Sequence, residues 1–423
     1  MKNVIIGVIG QGYVGLPLSI AFGKKFTTVG FDINKHRIKT LKNRIDINNE
    51  ISKLDFLKSK NLEFTYDIKD LKKCNFFIVT VPSPILKNKI PDLSYVKKAS
   101  EIVAKVLTKN STVVFESTVY PGVTENICLP IIEKKSLLKL NKDFYLGYSP
   151  ERANPGDKKN TLENIKKITS GSNNRALSHI DKIYRSIIKV GTVKASSIKI
   201  AEAAKVIENV QRDLNISLMN ELSVIFDKIN LDTNEIIKCA SSKWNFFKAY
   251  PGLVGGHCIG VDPYYLTYLS KKKGHYPKLI LAGRYTNDNM YKFVGNKFLK
   301  ILKAKYKNIK NKKVLLMGYS FKENVSDVRN TQVENIFNFL KKKIKKVHIF
   351  DPLVDKNNLP KLVKKHFIDK PSTNFYDAAI ILVKHSYFLK LGVNKIKRFC
   401  KKDNPIIFDV KNSFEKNNMI FKL

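Results

Sequence analysis

Short apolar runs, each closed by a glycine or an acid, alternate along this chain with longer stretches of mixed character. Val4 to Ile9 is almost wholly apolar, which suits a strand buried on both faces. The turn Gly10-Gln11-Gly12-Tyr13-Val14-Gly15 follows, and then Leu16 to Phe22, which suits a helix. Thr27 to Phe31 reads as a second strand closed by Asp32, completing a β–turn–α–β unit. Phe76 to Val81 and Thr112 to Phe115 are further strands, each followed by a polar or proline-bearing loop. Strands alternating with helical stretches predict a doubly wound parallel sheet.

Residues 196–230 differ in character. Ile198, Ala201, Val206, Val210, Leu214, Leu218, Leu222, Ile225, Phe226 and Ile229 recur mostly four apart, and no proline or glycine interrupts them. This predicts one long helix. It is either a connector and dimer surface or an ordinary core helix. A second α/β region begins near Lys312. Val314 to Met317 enters a turn at Gly318, Val333 to Leu340 suits a helix, and Val347 to Phe350 ends at Asp351. Ala379 to Val383 and Ile406 to Asp409 continue the pattern. The predicted class is α/β, with two Rossmann-like doubly wound parallel-sheet domains joined by a long central helix. The expected divisions are 1–195 for a nucleotide domain, 196–302 for a helical dimerisation region and 303–423 for a second α/β domain.

Composition narrows the class. At 423 residues the chain supports two or three domains with their own cores, and 43% hydrophobic content suits a globular protein. No apolar run reaches the length of a membrane span, and no signal-peptide pattern follows Ile9, so no membrane association and a cytoplasmic location are expected. The formal charge of +41 favours anionic partners. The lysines are scattered, however, and no arginine-rich tail or zinc-finger spacing is present, so nucleic acid is not the expected partner. Five cysteines lie far apart without a CxxC, which argues against disulfides and against a metal site.

The candidate chemistry sits at the turns. Gly10 allows the tight turn, Gly12 lets backbone N–H groups approach a pyrophosphate, and Gly15 permits close helix–strand packing. Asp32 is placed to accept from ribose hydroxyls and to repel a 2′-phosphate, which favours NAD over NADP, although Lys35, His36 and Arg37 stand nearby. In Gly255-Gly256-His257-Cys258-Ile259-Gly260-Val261-Asp262, Cys258 is a nucleophile or an inert thiol. Asp262 shares a face with it if a helical turn forms there. His257 is a base or a local structural histidine. Lys205 and Asn209 form an i, i+4 pair on the long helix, which is a functional pair or, as the pattern alone favours, an exposed lysine beside a polar neighbour. Thr118 and Glu151 lie where parallel-sheet loops present ligand contacts. Lys322 and Arg329 are phosphate contacts or part of a surface loop.

These residues together resemble the nucleotide-sugar 6-dehydrogenase family over essentially the whole chain. The resemblance rests on Gly10 to Gly15 with Asp32 and Arg37, on Glu116 to Gly122, and on Ser149-Pro150-Glu151-Arg152. It rests also on Ala203 to Asn209, on the GGHCIGVDP run and on Asp327-Val328-Arg329. It implies a four-electron oxidation of the sugar's C6 by two NAD+, with Cys258 holding the aldehyde as a thiohemiacetal and then a thioester. Lys205 and Asn209 would stabilise charge on the C6 oxygen, Asp262 would act with Lys205 and a water in proton transfer, and Thr118 and Glu151 would position water and substrate. Gly10, Gly12, Tyr13, Val14, Gly15, Asp32, Arg37, Thr118 and Arg329 would line the cofactor. Glu151, Arg152, Lys205, Asn209, Gly256, Arg284, Phe321 and Lys322 would face the UDP-sugar. UDP-glucose members carry a second glutamate four residues past Glu151; here that residue is Pro155. The implied substrate is therefore a UDP-N-acetyl-D-hexosamine, GlcNAc or GalNAc, oxidised for surface polysaccharide by a homodimer. UDP-glucose or GDP-mannose is the alternative. A one-step hydroxyacid dehydrogenase or a basic nucleic-acid-binding protein is a more distant one.

Overall fold

The computed structural model describes residues 4–48, 50–152, 160–401, 405–415 and 419–423. They fall into two compact units: one runs to Glu208 and includes Tyr264–Tyr276, and the other comprises Asn209–Pro263 and Pro277–Leu423.

The first unit holds an eight-stranded sheet. Its strands are β1 (Ile5–Ile9), β2 (Thr27–Phe31), β3 (Leu62–Thr65), β4 (Phe76–Val79), β5 (Ser111–Phe115), β6 (Phe144–Tyr148), β7 (Lys167–Gly171) and β8 (Thr192–Lys194), in the order β3-β2-β1-β4-β5-β6-β7-β8. The β6–β7 pair is antiparallel and the other pairs are parallel. The first six strands have the dinucleotide-binding order, whose switch point lies between β1 and β4. Helix α1 (Gly15–Gly23) follows β1 directly, and α2 (Asn174–Arg185) follows β7. Ile6, Val8, Phe76 and Ile78 pack with Leu18, Phe22, Ile180 and Tyr184 on one face. Leu16 and Ile20 of α1 pack with Ile38, Leu41 and Phe64.

Helix α3 (Ile198–Lys228) is a single element of 31 residues, as the periodicity predicts. It buries the apolar Ile198, Ala201, Val206, Val210 and Met219, and polar residues beside them. Glu202, Lys205, Asn209, Asp213 and Asn220, three, four or seven apart, are all buried. Ile200, Ile207, Leu218 and Ile225 are about half exposed. A helix normally turns its apolar stripe inward; this one buries a polar stripe as well and leaves part of its apolar repeat at the surface.

The second unit holds the five-stranded parallel sheet β10-β9-β11-β12-β13. These strands are β9 (Lys313–Met317), β10 (Lys346–Phe350), β11 (Ala378–Ile381), β12 (Ile406–Asp409) and β13 (Ile420–Lys422). Successive residues go to opposite faces. Val314, Leu316, Val347, Ile349, Ile380 and Phe408 enter one core with Phe298 and Phe337. Leu315, Met317, Ala379, Ile381 and Ile407 enter another with Phe388 and Ile396. Burial on both faces explains why the strands read as unbroken apolar runs. The other helices used below are α4 (Asp262–Lys272), α5 (Lys278–Lys305) and α6 (Gln332–Lys341). Among the described residues, no helix is long and apolar enough to cross a membrane, and no three His, Cys, Asp or Glu residues group as metal ligands.

Candidate active site

The turn after β1 is built around glycine geometry. Gly10 has φ +97°, where L side chains are strained. A Cβ on Gly15 would overlap the Gly10 carbonyl oxygen and the Thr80 hydroxyl, whereas a Cβ on Gly12 would meet nothing within 4 Å. Gly15 is therefore demanded by packing, and Gly12 keeps open a space that the protein itself does not use. Tyr13 and Val14 beside it are half-buried. Val14, at the N-cap of α1, makes no side-chain cap bond, so no side chain covers the helix N-terminus where an anion would approach. Asp32 braces the turn: Oδ2 accepts from the Gln11 N–H and Oδ1 from the Asn34 N–H, both at 2.8 Å. Carboxylate oxygens keep lone pairs for ribose hydroxyls after these bonds. The open cradle, bare helix end and strand-end acid fit a dinucleotide. Arg37 is buried, donating to the Gln11 carbonyl at 2.9 Å and to Asp46 at 2.8 Å. Its charge is committed to a buried carboxylate, away from a pairing with a 2′-phosphate.

The ends of β5 and β6 present Thr118, which is half-buried, and Glu151. The loop bearing Thr118 is pinned to α3 by Glu202, whose carboxylate accepts from the N–H groups of Gly122 at 2.5 Å and Thr124 at 3.0 Å. Burial pushes the Glu202 pKa up to about 7 against those bonds. Arg152 pairs with Glu208 of α3 at 2.8 Å and donates to the Lys166 carbonyl. Glu151 accepts from Lys167 at 3.2 Å, and the same ammonium reaches Glu116 at 2.6 Å. Tyr184 of α2 donates its hydroxyl to Glu116. Lys205 is buried on α3, one turn before Asn209.

In the second unit, Cys258 is exposed. It stands on a helical turn, because the N–H of Asp262 donates to the Cys258 carbonyl at 2.8 Å. Asp262 is buried and accepts from Asn209 Nδ2 at 2.5 Å. The segment leading to the thiol is tied at Gly252, which exchanges two hydrogen bonds with the Asn220 side chain at 2.8 and 3.0 Å. Asn220 continues to Asn287, Asn287 to Asp213, and Asp213 to Arg284 at 2.5 Å. Arg284 also pairs with Asp288, and its guanidinium lies 3.9 Å from where a Cβ on Gly260 would stand.

Gly256 has φ +82°, and a Cβ there would come 2.7 Å from the Phe321 ring. Asn330 donates to the Gly256 carbonyl at 3.1 Å, and His257 lies 3.8 Å from Asp327. The cysteine segment thus lies along the loop that carries Phe321, Lys322 and Arg329. Burial and the Arg329 charge push the His257 pKa down to about 4, so its imidazole is neutral at pH 7. The exposed Arg329 turns its guanidinium onto Asp327 at 2.6 Å. Asp351 at the end of β10 mirrors Asp32, accepting from the N–H groups of Tyr319 and Ser320 at 2.7 and 3.0 Å. Asp351 also meets His385 at 3.0 Å, and both side chains are fully buried.

Glu202, Lys167, Tyr184, Asn220 and His385 escaped the sequence reading. None stands in a glycine turn or beside another polar candidate, and their partners are distant in sequence. Pro155, which bears on substrate choice, lies outside the described residues.

Comparison with known proteins gives the following matches. Residues 4–188 match the NAD binding domain of the UDP-glucose/GDP-mannose dehydrogenase family, 199–289 its central domain and 315–416 its UDP binding domain. A UDP-N-acetyl-D-glucosamine 6-dehydrogenase of Salmonella typhi is 50% identical over 97% of this chain and 96% of its own length. One of the same name from Pseudomonas aeruginosa is 48% identical over 97% of both chains. The solved UDP-D-ManNAc dehydrogenase of Pyrococcus horikoshii superposes with a TM-score of 0.87 at 28% identity, covering 99% of each chain.

Proposed function

The chain belongs to the UDP-glucose/GDP-mannose dehydrogenase family and is an NAD-dependent nucleotide-sugar dehydrogenase, and we propose that it oxidises C6 of UDP-N-acetyl-D-glucosamine to the uronic acid through a thioester on Cys258. The substrate choice rests on the near-half identity to two dehydrogenases of that sugar nucleotide over almost the full chain. Pro155, in place of a second acid, agrees with an N-acetylhexosamine.

The observation that carries the mechanism is the exposed Cys258 thiol on a turn braced by Asp262 and Asn209. NAD+, when bound, supplies the hydride acceptor for each of the two oxidations. Lys205 and Asn209 stabilise negative charge on the C6 oxygen as the hydride leaves. Asp262, with Lys205 and a water, takes the hydroxyl proton. The Cys258 sulfur then adds to the aldehyde carbon, and the carbonyl oxygen gains a proton, giving a thiohemiacetal. Loss of a second hydride and that proton gives the thioester. Water, placed by Thr118 and Glu151, adds to it; the C–S bond breaks, and carboxylate and thiol are released. Phe321, Lys322, Arg152, Arg284 and Gly256 serve the UDP-sugar. Gly10, Gly12, Tyr13, Val14, Gly15, Asp32, Arg37, Thr118 and Arg329 serve the cofactor. The half-exposed stripe of Ile200, Ile207, Leu218 and Ile225 suits a homodimer through α3.

A panel of sugar nucleotides, with NADH counted per sugar, tests this function. Preferred turnover of UDP-N-acetyl-D-glucosamine with two NADH per uronate is expected. Preference for UDP-glucose would overturn the substrate, and one NADH per sugar would overturn the thioester.

A further inference from the structure

Three charged groups come together where β5, β6 and β7 meet, and two of them, Glu116 and Lys167, have no role in the chemistry above. Glu116 directly follows β5, Glu151 stands three residues past β6, and Lys167 opens β7. Because β7 runs antiparallel to β6, its first residue lies at the edge where β5 and β6 end. Tyr148 pairs with Ser170, and continuing that register by three residues brings Glu151 opposite Lys167.

The Lys167 side chain is 3% exposed, Glu116 0% and Glu151 13%, so the cluster opens outward at Glu151. Lys167 donates to both carboxylates, at 2.6 Å to Glu116 and 3.2 Å to Glu151. Burial alone would lower the Lys167 pKa; the two carboxylates raise it, so the ammonium stays charged. Tyr184 donates to Glu116 from beneath, and its ring lies 5.5 Å from the Lys167 ammonium. Burial pushes Glu116 up to about 7 against the attraction of Lys167.

Taking such charges out of water is costly, and apolar side chains of similar volume usually brace a fold at least as well. An ion cluster kept at the ligand-binding edge of a parallel sheet is better explained by what it holds in place. We propose that Lys167 is a positioning residue: it fixes the Glu151 carboxylate for its work on substrate and water, with Glu116 and Tyr184 as its buried footing. The proposal rests on the reading that places Glu151 at the substrate.

The test is a double-mutant cycle on the full-length enzyme, with Lys167→Met, Glu151→Gln and the pair, reading kcat and both KM values. A misplaced carboxylate should lower kcat of Lys167→Met by roughly 10- to 100-fold while KM for NAD+ holds. The double variant should be no slower than Glu151→Gln, because the lysine acts through that glutamate. If Glu151→Gln is impaired but Lys167→Met keeps wild-type kcat, or the two losses multiply, the positioning role is overturned and the reading of Glu151 stands. Wild-type kinetics for Glu151→Gln would remove that reading and the proposal with it. Should Lys167→Met not fold, Lys167→Gln goes through the same cycle. It keeps a donor without the charge, so kcat between wild type and Glu151→Gln is expected, and wild-type kcat overturns the role.

Discussion

Asn209 donates its side-chain amide to Oδ2 of Asp262 at 2.5 Å, joining helix α3 to the first residue of α4. Both groups are buried, and Asp262 in turn closes the helical turn on which Cys258 stands. One amide therefore steadies an acid and, through the backbone, the thiol before it. A hydrogen bond to a buried carboxylate is worth about 1.5–3 kcal/mol. Asn209→Ala is expected to lower unfolding stability by about that amount, seen as a drop in urea midpoint, and to depress kcat as well. An unmoved midpoint would show that the bond contributes nothing net.

Cys258→Ser is expected to stop uronate formation while leaving the fold intact, since the residue is exposed on a turn held by backbone bonds. Serine cannot form the thioester that carries the second oxidation. Product analysis by mass spectrometry checks this outcome. Undiminished uronate output would remove the sulfur from the chemistry.

The two glycines of the first turn should part company. Gly15→Ala drives a methyl group into the Gly10 carbonyl and Thr80, so thermal stability is expected to fall. Gly12→Ala meets only open space, so its melting temperature should match wild type while NAD+ affinity drops. Calorimetric titration with NAD+ beside a melting curve separates the two. Undisturbed NAD+ binding by Gly12→Ala would place the pyrophosphate elsewhere.

His257 is expected to titrate near pH 4 in the folded protein, against about 6.5 when unfolded. Between these values the unfolded chain binds a proton that the folded one refuses, so stability rises with pH across the window. The contribution is fully present above about pH 6.5 and is lost as pH falls toward 4. His257→Gln should flatten that slope, and the imidazole's NMR shift follows the titration directly. Protonation above pH 6 in the folded state would refute the half-buried, Arg329-opposed environment.

Local signals in the chain carried most of the fold. β1 (Ile5–Ile9) and β4 (Phe76–Val79) lie within the apolar runs read from the sequence, because strands buried on both faces need nearly unbroken apolar sequence. The edge strands β3 and β8 escaped notice because Leu-Glu-Phe-Thr and Thr-Val-Lys carry too little apolar character to stand out. The long helix was legible in extent, but its apolar repeat gave no sign of the polar residues buried beside it from Glu202 to Asn220.

By itself, the sequence determined the glycine turn with its closing acid and the alternation of strands with helices in two α/β regions, and it singled out the Gly-Gly-His-Cys segment as a candidate for chemistry. Each follows from backbone freedom or side-chain period among residues near one another in the chain. Only tertiary structure decided that Arg37 pairs with Asp46, that Arg284 pairs with Asp213, and that Lys167 reaches Glu116 across 51 residues. A charge declares nothing about its partner until folding brings the partner within about 3 Å and removes the water that would otherwise satisfy both.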